Sequence, residues 1–297
     1  MVLLSSAGGS ILDLGKALSL LVTNPGPAIQ YRGFDLPKNP GPGVIAIPTT
    51  AGTGSEITPN AVFTDSKERR KLGINTALYI PKLCILDPLL TASCPRGAKI
   101  SSGMDALVHG HESFVSQKAN PLTKILAQEA IRLVFNALEK SVLSPQDMDA
   151  HGRVQLGSYL AAAALFNSSA GPTGAMSYPL GVHYNVPHGM AGAVFLPWVT
   201  QHNVDRGYTG YAELYPLLDG AQPVKNAAEN SRLYAKALWN LCERLQIPKT
   251  LAPFGFKRES IPSFLAQAPL LKGAFDMNPV PFTTDDLRLT LEAMSPS

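Results

Sequence analysis

The sequence contains little cysteine, few aromatic residues and no basic leader. Its 297 residues include three cysteines, Cys84, Cys94 and Cys242, which are widely spaced and form no CxxC pair. A scattered, odd-numbered set of this kind supports neither a disulfide framework nor a thiolate zinc site, and a reducing compartment suits it best. The first residues lack the basic start of a signal peptide. We therefore expect a cytoplasmic protein.

Charge and hydropathy argue against two classes of partner. The net charge is +3, and no Lys/Arg run stands out beyond the short cluster at 67–71, whereas nucleic-acid binding needs a concentrated basic stripe. No uninterrupted apolar run approaches the roughly 20 residues that cross a bilayer. The composition, 45% hydrophobic and 16% charged, is that of a globular protein with a sizeable core. We expect neither a nucleic-acid partner nor a membrane partner.

Two sequence patterns divide the chain near residue 95. Residues 1–95 alternate short β-rich runs with Gly/Pro/Thr loops, which predicts an α/β layer with a mostly parallel sheet. Residues 96–297 contain long segments of helical period, which predict an all-α domain. The predicted strands are 1–4, 44–47, 61–63 and a buried one at 84–86, with a helix over 11–21. The later predicted helices are 100–115, 121–143, 148–165, 227–245 and 284–294.

Two glycine-containing loops each follow a predicted strand. Gly8, Gly9 and Ser10 precede the first helix, where backbone N–H groups and the positive helix end can face a phosphate. The second loop, 48–56, combines glycines with hydroxyl side chains that can donate to phosphate or ribose. Either loop alone could be an ordinary turn, the first with Ser10 as helix N-cap. Two such loops at the carboxyl ends of strands favour a dinucleotide crevice.

Three side chains are candidate metal ligands. Asp105 and His109 are four residues apart in a predicted helix, so they share one face, one turn apart. His188, in Val-Pro-His-Gly, is the third candidate. A carboxylate with two imidazoles suits Fe²⁺, Zn²⁺ or a similar divalent ion. A surface ion pair is the alternative for the first two residues, and a helix-start role is the alternative for His188.

Two other histidines are not expected to bind the metal. His111 lies six residues after Asp105 and therefore projects from another helix face. We interpret His183, in Gly-Val-His-Tyr, as a residue of the core or as a support for a metal ligand.

In this order the motifs resemble the iron-containing (group III) alcohol dehydrogenase family over nearly the whole chain. The matching segments are Gly-Gly-Ser-x-x-Asp-x-x-Lys at 8–16, Thr-Thr-x-Gly-Thr-Gly-Ser-Glu at 49–56, Asp-Pro at 87–88, Gly-Met-Asp-Ala-Leu-Val-His at 103–109 and Pro-His-Gly at 187–189. The resemblance implies an N-terminal nucleotide-binding domain and a C-terminal helical domain, with substrate and metal between them.

The resemblance also implies cofactors, ligands and a reaction. NAD or NADP would contact Gly8, Gly9, Ser10, Asp13, Thr49, Thr50, Thr53, Ser55 and Lys71. A divalent metal, Fe²⁺ or Zn²⁺, would be bound by Asp105, His109 and His188. Hydride would pass between the nicotinamide and a small alcohol or aldehyde whose oxygen the metal polarises. Members of this family are typically homodimers.

The chain departs from the family pattern at three points. Gly174 stands where the family has a further histidine ligand, and Tyr178 stands where a histidine often assists proton transfer. We therefore expect three protein ligands, with Tyr178 as the candidate catalytic proton donor. The family also carries a βαβ half before the Gly8 turn, which holds the residue that selects NAD or NADP. A chain that starts inside the later strand, whether as a fragment or without that half, is expected to expose a sheet edge.

Two other functions remain open at this point. The replacements at Gly174 and Tyr178 suit a degenerate, metal-free binding or structural member of the family. A relative resembling glycerol dehydrogenase or dehydroquinate synthase is the other alternative, although the spelling at 103–109 favours the alcohol dehydrogenase branch.

Overall fold

The N-terminal part contains two three-stranded sheets in the structure, a computed structural model that describes residues 2–65 and 70–295. The strands are β1 (Val2–Ala7), β2 (Gly33–Phe34), β3 (Gly43–Pro48), β4 (Asn60–Asp65), β5 (Arg70–Asn75) and β6 (Leu83–Cys84). The first sheet has the order β1-β3-β6 and is entirely parallel. The second has the order β2-β5-β4, in which β4 and β5 are antiparallel. The prediction of a mostly parallel sheet is confirmed.

The register of the first sheet brings the two glycine loops together. β1 and β3 pair from Val2 opposite Gly43 to Ala7 opposite Pro48, so both strands end at the same level. The helix α1 (Gly9–Leu21) connects them and packs against strands of both sheets. Because parallel strands with matched ends deliver their following loops to one edge, the segments after Ala7 and after Pro48 become neighbours.

Ten further α-helices follow α1 in the described ranges. They are α2 (Pro88–Ala92), α3 (Arg96–Val115), α4 (Pro121–Leu143), α5 (Met148–Phe166), α6 (Pro172–Tyr184), α7 (His188–Asp205), α8 (Ala227–Arg244), α9 (Ile261–Leu265), α10 (Ala268–Phe275) and α11 (Thr284–Met294). Helix α4 begins at a capping box between Asn120 and Thr123, with Pro121 at a position where its missing N–H costs nothing. None of the helices within the described ranges has both the length and the apolar character needed to cross a bilayer.

Two hydrophobic cores underlie the two patterns of the sequence. The larger core is built by the helices, with Met104 of α3, Ile131 of α4 and Phe195 of α7 almost fully buried. A smaller core joins Leu20 of α1 to Ile74 of β5 and their neighbours. The all-helical character of the later part is confirmed. Helix α3 begins at Arg96, close to the division that we predict at residue 95, and the division itself stays a prediction.

The first sheet is open on one side. Among the described strands, β1 pairs with β3 alone, so β1 forms a sheet edge, as expected. Val2 and Leu4 on this strand are 62% and 63% exposed. The prediction of a buried strand at 84–86 is wrong in its burial, because Leu83 within the short strand β6 is 51% exposed and Ile85, directly after it, is 41% exposed.

Candidate active site

A cleft of about 230 Å³ lies where the loops after β1 and β3 meet the helices. It is lined by Gly9, Ser10, Asp13, Thr53 and Ser55 on one side and by Asp105, His109, Tyr178 and His188 on the other. The structure thus brings five of the nine predicted cofactor-binding residues and all three predicted metal ligands to one place. Of the other predicted cofactor residues, Thr50 lines a separate small cavity beside Thr91 and Lys99.

Gly8 and Thr49 are not among the residues that line the cleft. Gly8 is the N-cap residue of α1, and the backbone N–H of Thr49 donates to the carbonyl of Ala7, which ties the two loops together. The side chain of Lys71 falls outside the described part of the chain, so its predicted contact with the cofactor stays a prediction.

The start of α1 has the features of an anion site. Gly8 contributes no side-chain cap to the first turn, so the helix N-terminus keeps its partial positive charge and donors. A Cβ atom on Gly9 would lie 2.6 Å from the side chain of Thr53, so only glycine allows the second loop to come this close. Gly9, Ser10 and Thr53 therefore form a continuous polar wall at the helix end.

The carboxylate of Asp13 is occupied by protein donors. Oδ1 accepts the hydroxyl of Ser55, Oδ2 accepts the backbone N–H of Val62 at 2.9 Å, and Lys16 Nζ lies 3.2 Å from Oδ1. Asp13 borders the cleft, but its hydrogen bonds tie α1 to the second loop and to β4. Its first role in the structure is therefore to hold together the polar wall formed by Gly9, Ser10 and Thr53.

Lys16 is the last residue of the motif at 8–16, and the sequence predicts no role for it. It is 1% exposed, and its ammonium group donates to the backbone carbonyls of Ser55, Thr58 and Asn60. Burial lowers the pKa of Lys16, and the charge of Asp13 opposes that shift. The i, i+3 spacing from Asp13 on a predicted helix was the available signal for this pair.

Glu56 closes the second loop beneath this network. It is 3% exposed, and burial raises its pKa to about 7, while its backbone hydrogen bond and the charge of Lys16 act in the opposite direction. The positive charge of Lys16 is therefore one of the interactions that favour the ionised form of Glu56.

The loop 49–56 is wedged between two helices. A Cβ atom on Gly52 would lie 2.3 Å from the carbonyl oxygen of Ser102 in α3. A Cβ atom on Gly54 would lie 1.9 Å from the Cβ of Ala162 in α5, and Gly54 has φ +63°. Glycine is needed at both positions because backbone meets helix directly. This close packing places the polar wall of Gly9, Ser10 and Thr53 opposite Asp105, His109 and His188 in the cleft.

The three candidate metal ligands converge on one another. Asp105 Oδ1 lies 3.7 Å from His109 Nε2 and 3.9 Å from His188 Nε2. These separations exceed by a few tenths of an ångström the roughly 3.4 Å between ligands of a tetrahedral ion with bonds of about 2.1 Å. Accordingly, no group of three or more His, Cys, Asp or Glu side chains is closed to metal-binding distance across residues 2–65 and 70–295.

The donor set nevertheless fits a divalent ion. Asp105 is 4% exposed, and a buried carboxylate between two imidazoles combines oxygen and nitrogen donors. The Nδ1 atom of His109 is buried, and none of the described residues forms a hydrogen bond with it. The ring nitrogen that faces Asp105 is Nε2, at 3.7 Å, so Nε2 is the candidate donor to the ion and Nδ1 is not.

A glycine explains why His188 reaches the other two ligands. Helix α7 begins at His188, and a Cβ atom on the next residue, Gly189, would lie 2.0 Å from the carbonyl oxygen of Ser101. The same Cβ would lie 2.9 Å from the Cβ of Asp105. The sequence Pro-His-Gly therefore lets the start of α7 pack directly against α3.

Tyr178 stands beside His188 in the cleft. Their ring centroids are 4.9 Å apart, and the Tyr178 side chain is 39% exposed. Burial within the cleft, followed by the negative charges of Asp105 and Glu112, raises the pKa of Tyr178 to about 12. Because a large part of the side chain faces the cleft, water there weakens the shift without reversing it. The phenol is therefore protonated at neutral pH.

The two other histidines lie elsewhere. His111 is 2% exposed, stacks on Tyr211 at 4.9 Å and contacts the Thr200 hydroxyl at 3.2 Å, and burial lowers its pKa to about 3. It is thus part of the helical core, in agreement with its expected exclusion from the ligand set. The interpretation of His183 is wrong, because this residue is exposed in the last turn of α6.

Comparisons with known proteins agree with this arrangement. The model of the iron-containing alcohol dehydrogenase family matches residues 2–88, and the model of the C-terminal part of that family matches residues 99–295. The 1,3-propanediol dehydrogenase of Klebsiella pneumoniae is 32% identical over 94% of this chain and 72% of its own length. The lactaldehyde reductase of Escherichia coli K12 is 33% identical over 96% of this chain and 74% of its own length.

Solved structures show the same fold. A 1,3-propanediol oxidoreductase superposes with a TM-score of 0.92 at 31% identity, over 99% of this chain and 76% of the other. The sulfoacetaldehyde reductase of Bifidobacterium kashiwanohense, solved in complex with NAD⁺, superposes with a TM-score of 0.86 at 28% identity, over 99% and 76% of the two chains. With family models matching nearly the whole chain and relatives above 30% identity, this protein belongs to the iron-containing alcohol dehydrogenase family.

Proposed function

We propose that this protein is a metal-dependent alcohol dehydrogenase or aldehyde reductase that transfers hydride between a nicotinamide cofactor and a small alcohol or aldehyde. The observation that carries the proposal is the shared cleft: the Gly9–Ser10–Thr53 wall faces the side chains of Asp105, His109 and His188. Hydride transfer needs a nicotinamide and a polarised C–O bond in contact, and this arrangement supports both. The names of the relatives, dehydrogenases and reductases of small alcohols and aldehydes, support the same reaction class.

The nucleotide would bind through its phosphates at the start of α1. The helix N-terminus at Gly8 and Gly9 and the hydroxyls of Ser10 and Thr53 are suitable donors for a pyrophosphate. We propose NAD as the cofactor to test first and NADP as the second, because the sulfoacetaldehyde reductase with this fold was solved with NAD⁺.

Asp105, His109 and His188 would hold a divalent ion such as Fe²⁺ or Zn²⁺. When bound, such an ion supplies Lewis-acid polarisation of the substrate oxygen. A set of three protein ligands is typical of catalytic sites, which keep one position open. The protein contributes the buried negative charge of Asp105, which attracts the cation, and the packing of α7 on α3, which keeps the imidazoles beside it.

Tyr178 would exchange a proton with the substrate oxygen. Its side chain lines the same cleft and contacts the ring of His188, so a substrate oxygen near the three ligands lies within reach of a phenol. We also propose that the protein is a cytoplasmic homodimer, a proposal supported by the family resemblance and by three free cysteines.

Removing the Tyr178 hydroxyl is expected to slow catalysis without disturbing binding. Tyr178→Phe should lower kcat for aldehyde reduction about 10²-fold at neutral pH, which is at the low end for a lost general acid. The dissociation constant for NADH and the metal content should stay unchanged. Tyr184→Phe is the matched control, because Tyr184 is on the same helix and packs against Phe256. Equal kcat values for the two variants would contradict the role of Tyr178.

The proposed function is tested by incubating the purified protein with Fe²⁺ or Zn²⁺ and following NADH or NADPH oxidation with a panel of small aldehydes. We expect aldehyde-dependent oxidation that disappears after chelation of the metal. Failure of the protein to bind either nucleotide, together with no oxidation, would contradict the proposal. Nucleotide binding without bound metal would instead favour a metal-free binding protein. The presence of Gly174, which has no side chain to bind a metal, supports that alternative.

A further inference from the structure

The carboxylate of Glu112 is buried at the start of a neighbouring helix. Glu112 belongs to α3, one turn after His109, and is 3% exposed. Its Oε1 atom accepts the backbone N–H of Gly174 at 3.1 Å, and burial raises its pKa, while the nearby backbone N–H groups of Gly171, Thr173 and Gly174 act in the opposite direction. These residues form the first turn of α6, whose N-cap residue Gly171 provides no side-chain cap. Glu112 therefore caps α6 from another helix.

Two glycines make room for this carboxylate. A Cβ atom on Gly174 would lie 2.9 Å from Glu112 Oε2, and a Cβ atom on Gly171 would lie 3.0 Å from Oε1. Alanine at either position would need the carboxylate to move, although it has little free space, being almost fully buried. The carboxylate of Glu112 thus occupies the space into which a side chain at position 174 would extend.

The two helices that meet at Glu112 carry the catalytic candidates. Helix α3 holds Asp105 and His109, and α6 holds Tyr178, one turn after Gly174. The hydrogen bond between Gly174 and Glu112 therefore connects the helix that carries Tyr178 to the helix that carries Asp105 and His109. The Oε2 atom of Glu112 forms no hydrogen bond within the described residues, so Oε1 makes the tie while Oε2 faces the Gly174 gap.

We propose that Glu112 is a positioning residue that clamps the N-terminus of α6 to α3, with Gly174 as its steric partner. The clamp holds Tyr178 in place beside the three candidate metal ligands. This inference rests on the proposed function for its catalytic consequence, whereas the clamp itself is independent of any activity.

A double-mutant cycle with Glu112→Ala and Gly174→Ala tests the clamp. We expect each single variant to lower kcat about 10- to 100-fold, the usual effect of losing a group that orients active-site side chains. The double variant should be little worse than Glu112→Ala alone, because the added methyl group no longer meets a carboxylate. Glu112→Gln, which keeps an oxygen acceptor for the Gly174 N–H, should retain kcat to within about threefold. The dissociation constant for NADH and the metal content per chain should stay unchanged in all variants.

Gly97→Ala is the matched control, because Gly97 is a helical glycine of α3 whose added Cβ would have no neighbour within 4 Å. The thermal unfolding midpoints of the same variants give a readout without substrate, so the clamp is measured even if the chain reduces no aldehyde. Non-additive midpoints together with non-additive kcat support the proposal. Additive effects at 112 and 174, or lowered midpoints with unchanged kcat, would overturn the positioning role. Loss of bound metal in both Glu112→Ala and Glu112→Gln would overturn it in favour of a metal ligand.

Discussion

Replacing Asp105 by asparagine is expected to lower kcat/KM for aldehyde reduction about 10³-fold and to remove the bound metal. Asp105 supplies the only negative charge among the three proposed ligands, and its side chain is 4% exposed. A neutral amide of the same shape keeps the packing and loses the charge that attracts a divalent cation. Lewis-acid stabilisation contributes several kcal/mol to such reactions, and each 1.36 kcal/mol corresponds to about a tenfold change in rate.

The measurement for Asp105→Asn is metal content by elemental analysis together with steady-state kinetics. Asp149→Asn serves as the matched control, because this aspartate is exposed in the first turn of α5. The control should keep both metal and activity. A variant that lacks the Asp105 carboxylate but retains stoichiometric metal would show that the ion is held elsewhere.

Replacing Lys16 by methionine is expected to lower the free energy of unfolding by about 3–5 kcal/mol, the usual effect of breaking a buried charge pair. The variant leaves the buried carboxylate of Asp13 without the ammonium group beside it, and it removes a positive charge that favours the ionised form of Glu56. It also removes the donor to three backbone carbonyls in the segment 55–60. Because Ser55, Thr58 and Asn60 line the same cleft as the polar wall of Gly9, Ser10 and Thr53, we expect the affinity for NADH to fall at least tenfold. Urea unfolding and a fluorescence titration with NADH measure the two effects.

Lys38→Met is the control for Lys16→Met, because Lys38 is exposed in the same part of the chain. Adding Asp13→Asn to Lys16→Met should recover part of the stability, since one unpaired buried charge is then removed. A loss below about 1 kcal/mol, the range of an exposed ion pair, would contradict the structural role assigned to Lys16.

The elements that the sequence predicted best are those with strong local signals. Helices α3, α4 and α5 have long helical periodicity, and α4 also has Asn120-Pro121 at its start. The predicted helices do not include α6 and α7, each of which contains an internal proline, Pro179 or Pro197, a residue that normally ends a helix. Tertiary packing has overridden that local preference in both cases.

The candidate site shows the same division between local and distant signals. Helical spacing pairs Asp105 with His109, whereas no spacing connects them to His188, which follows His109 by 79 residues. His188 is a candidate from its own motif, and the family resemblance is what joins the three residues into one site. Lys16 and Glu112 were missed for a related reason. Their partners are backbone groups 39 to 44 and 62 residues away, respectively, and no periodicity in the sequence reports such contacts.

Glycine was the residue whose role the structure changed most. In the sequence, Gly52, Gly54 and Gly189 belonged to motifs that suggested contact with a ligand. In the structure each permits a close approach between backbone and a helix, at Ser102, Ala162 and Ser101 respectively. These contacts shape the cleft from behind, which explains how a loop and a helix start that are distant in sequence can share one site.

The anomalous diffraction signal of crystals grown with NAD and either Fe²⁺ or Zn²⁺ tests most directly whether Asp105, His109 and His188 bind a metal beside the nicotinamide. We expect one metal peak per chain, at about 2.0–2.2 Å from donor atoms of Asp105, His109 and His188. We also expect the nicotinamide to lie in the same cleft. The proposed metal site would be contradicted by a structure that has NAD bound but no metal peak at these three residues. A metal peak at a different set of ligands would contradict it as well.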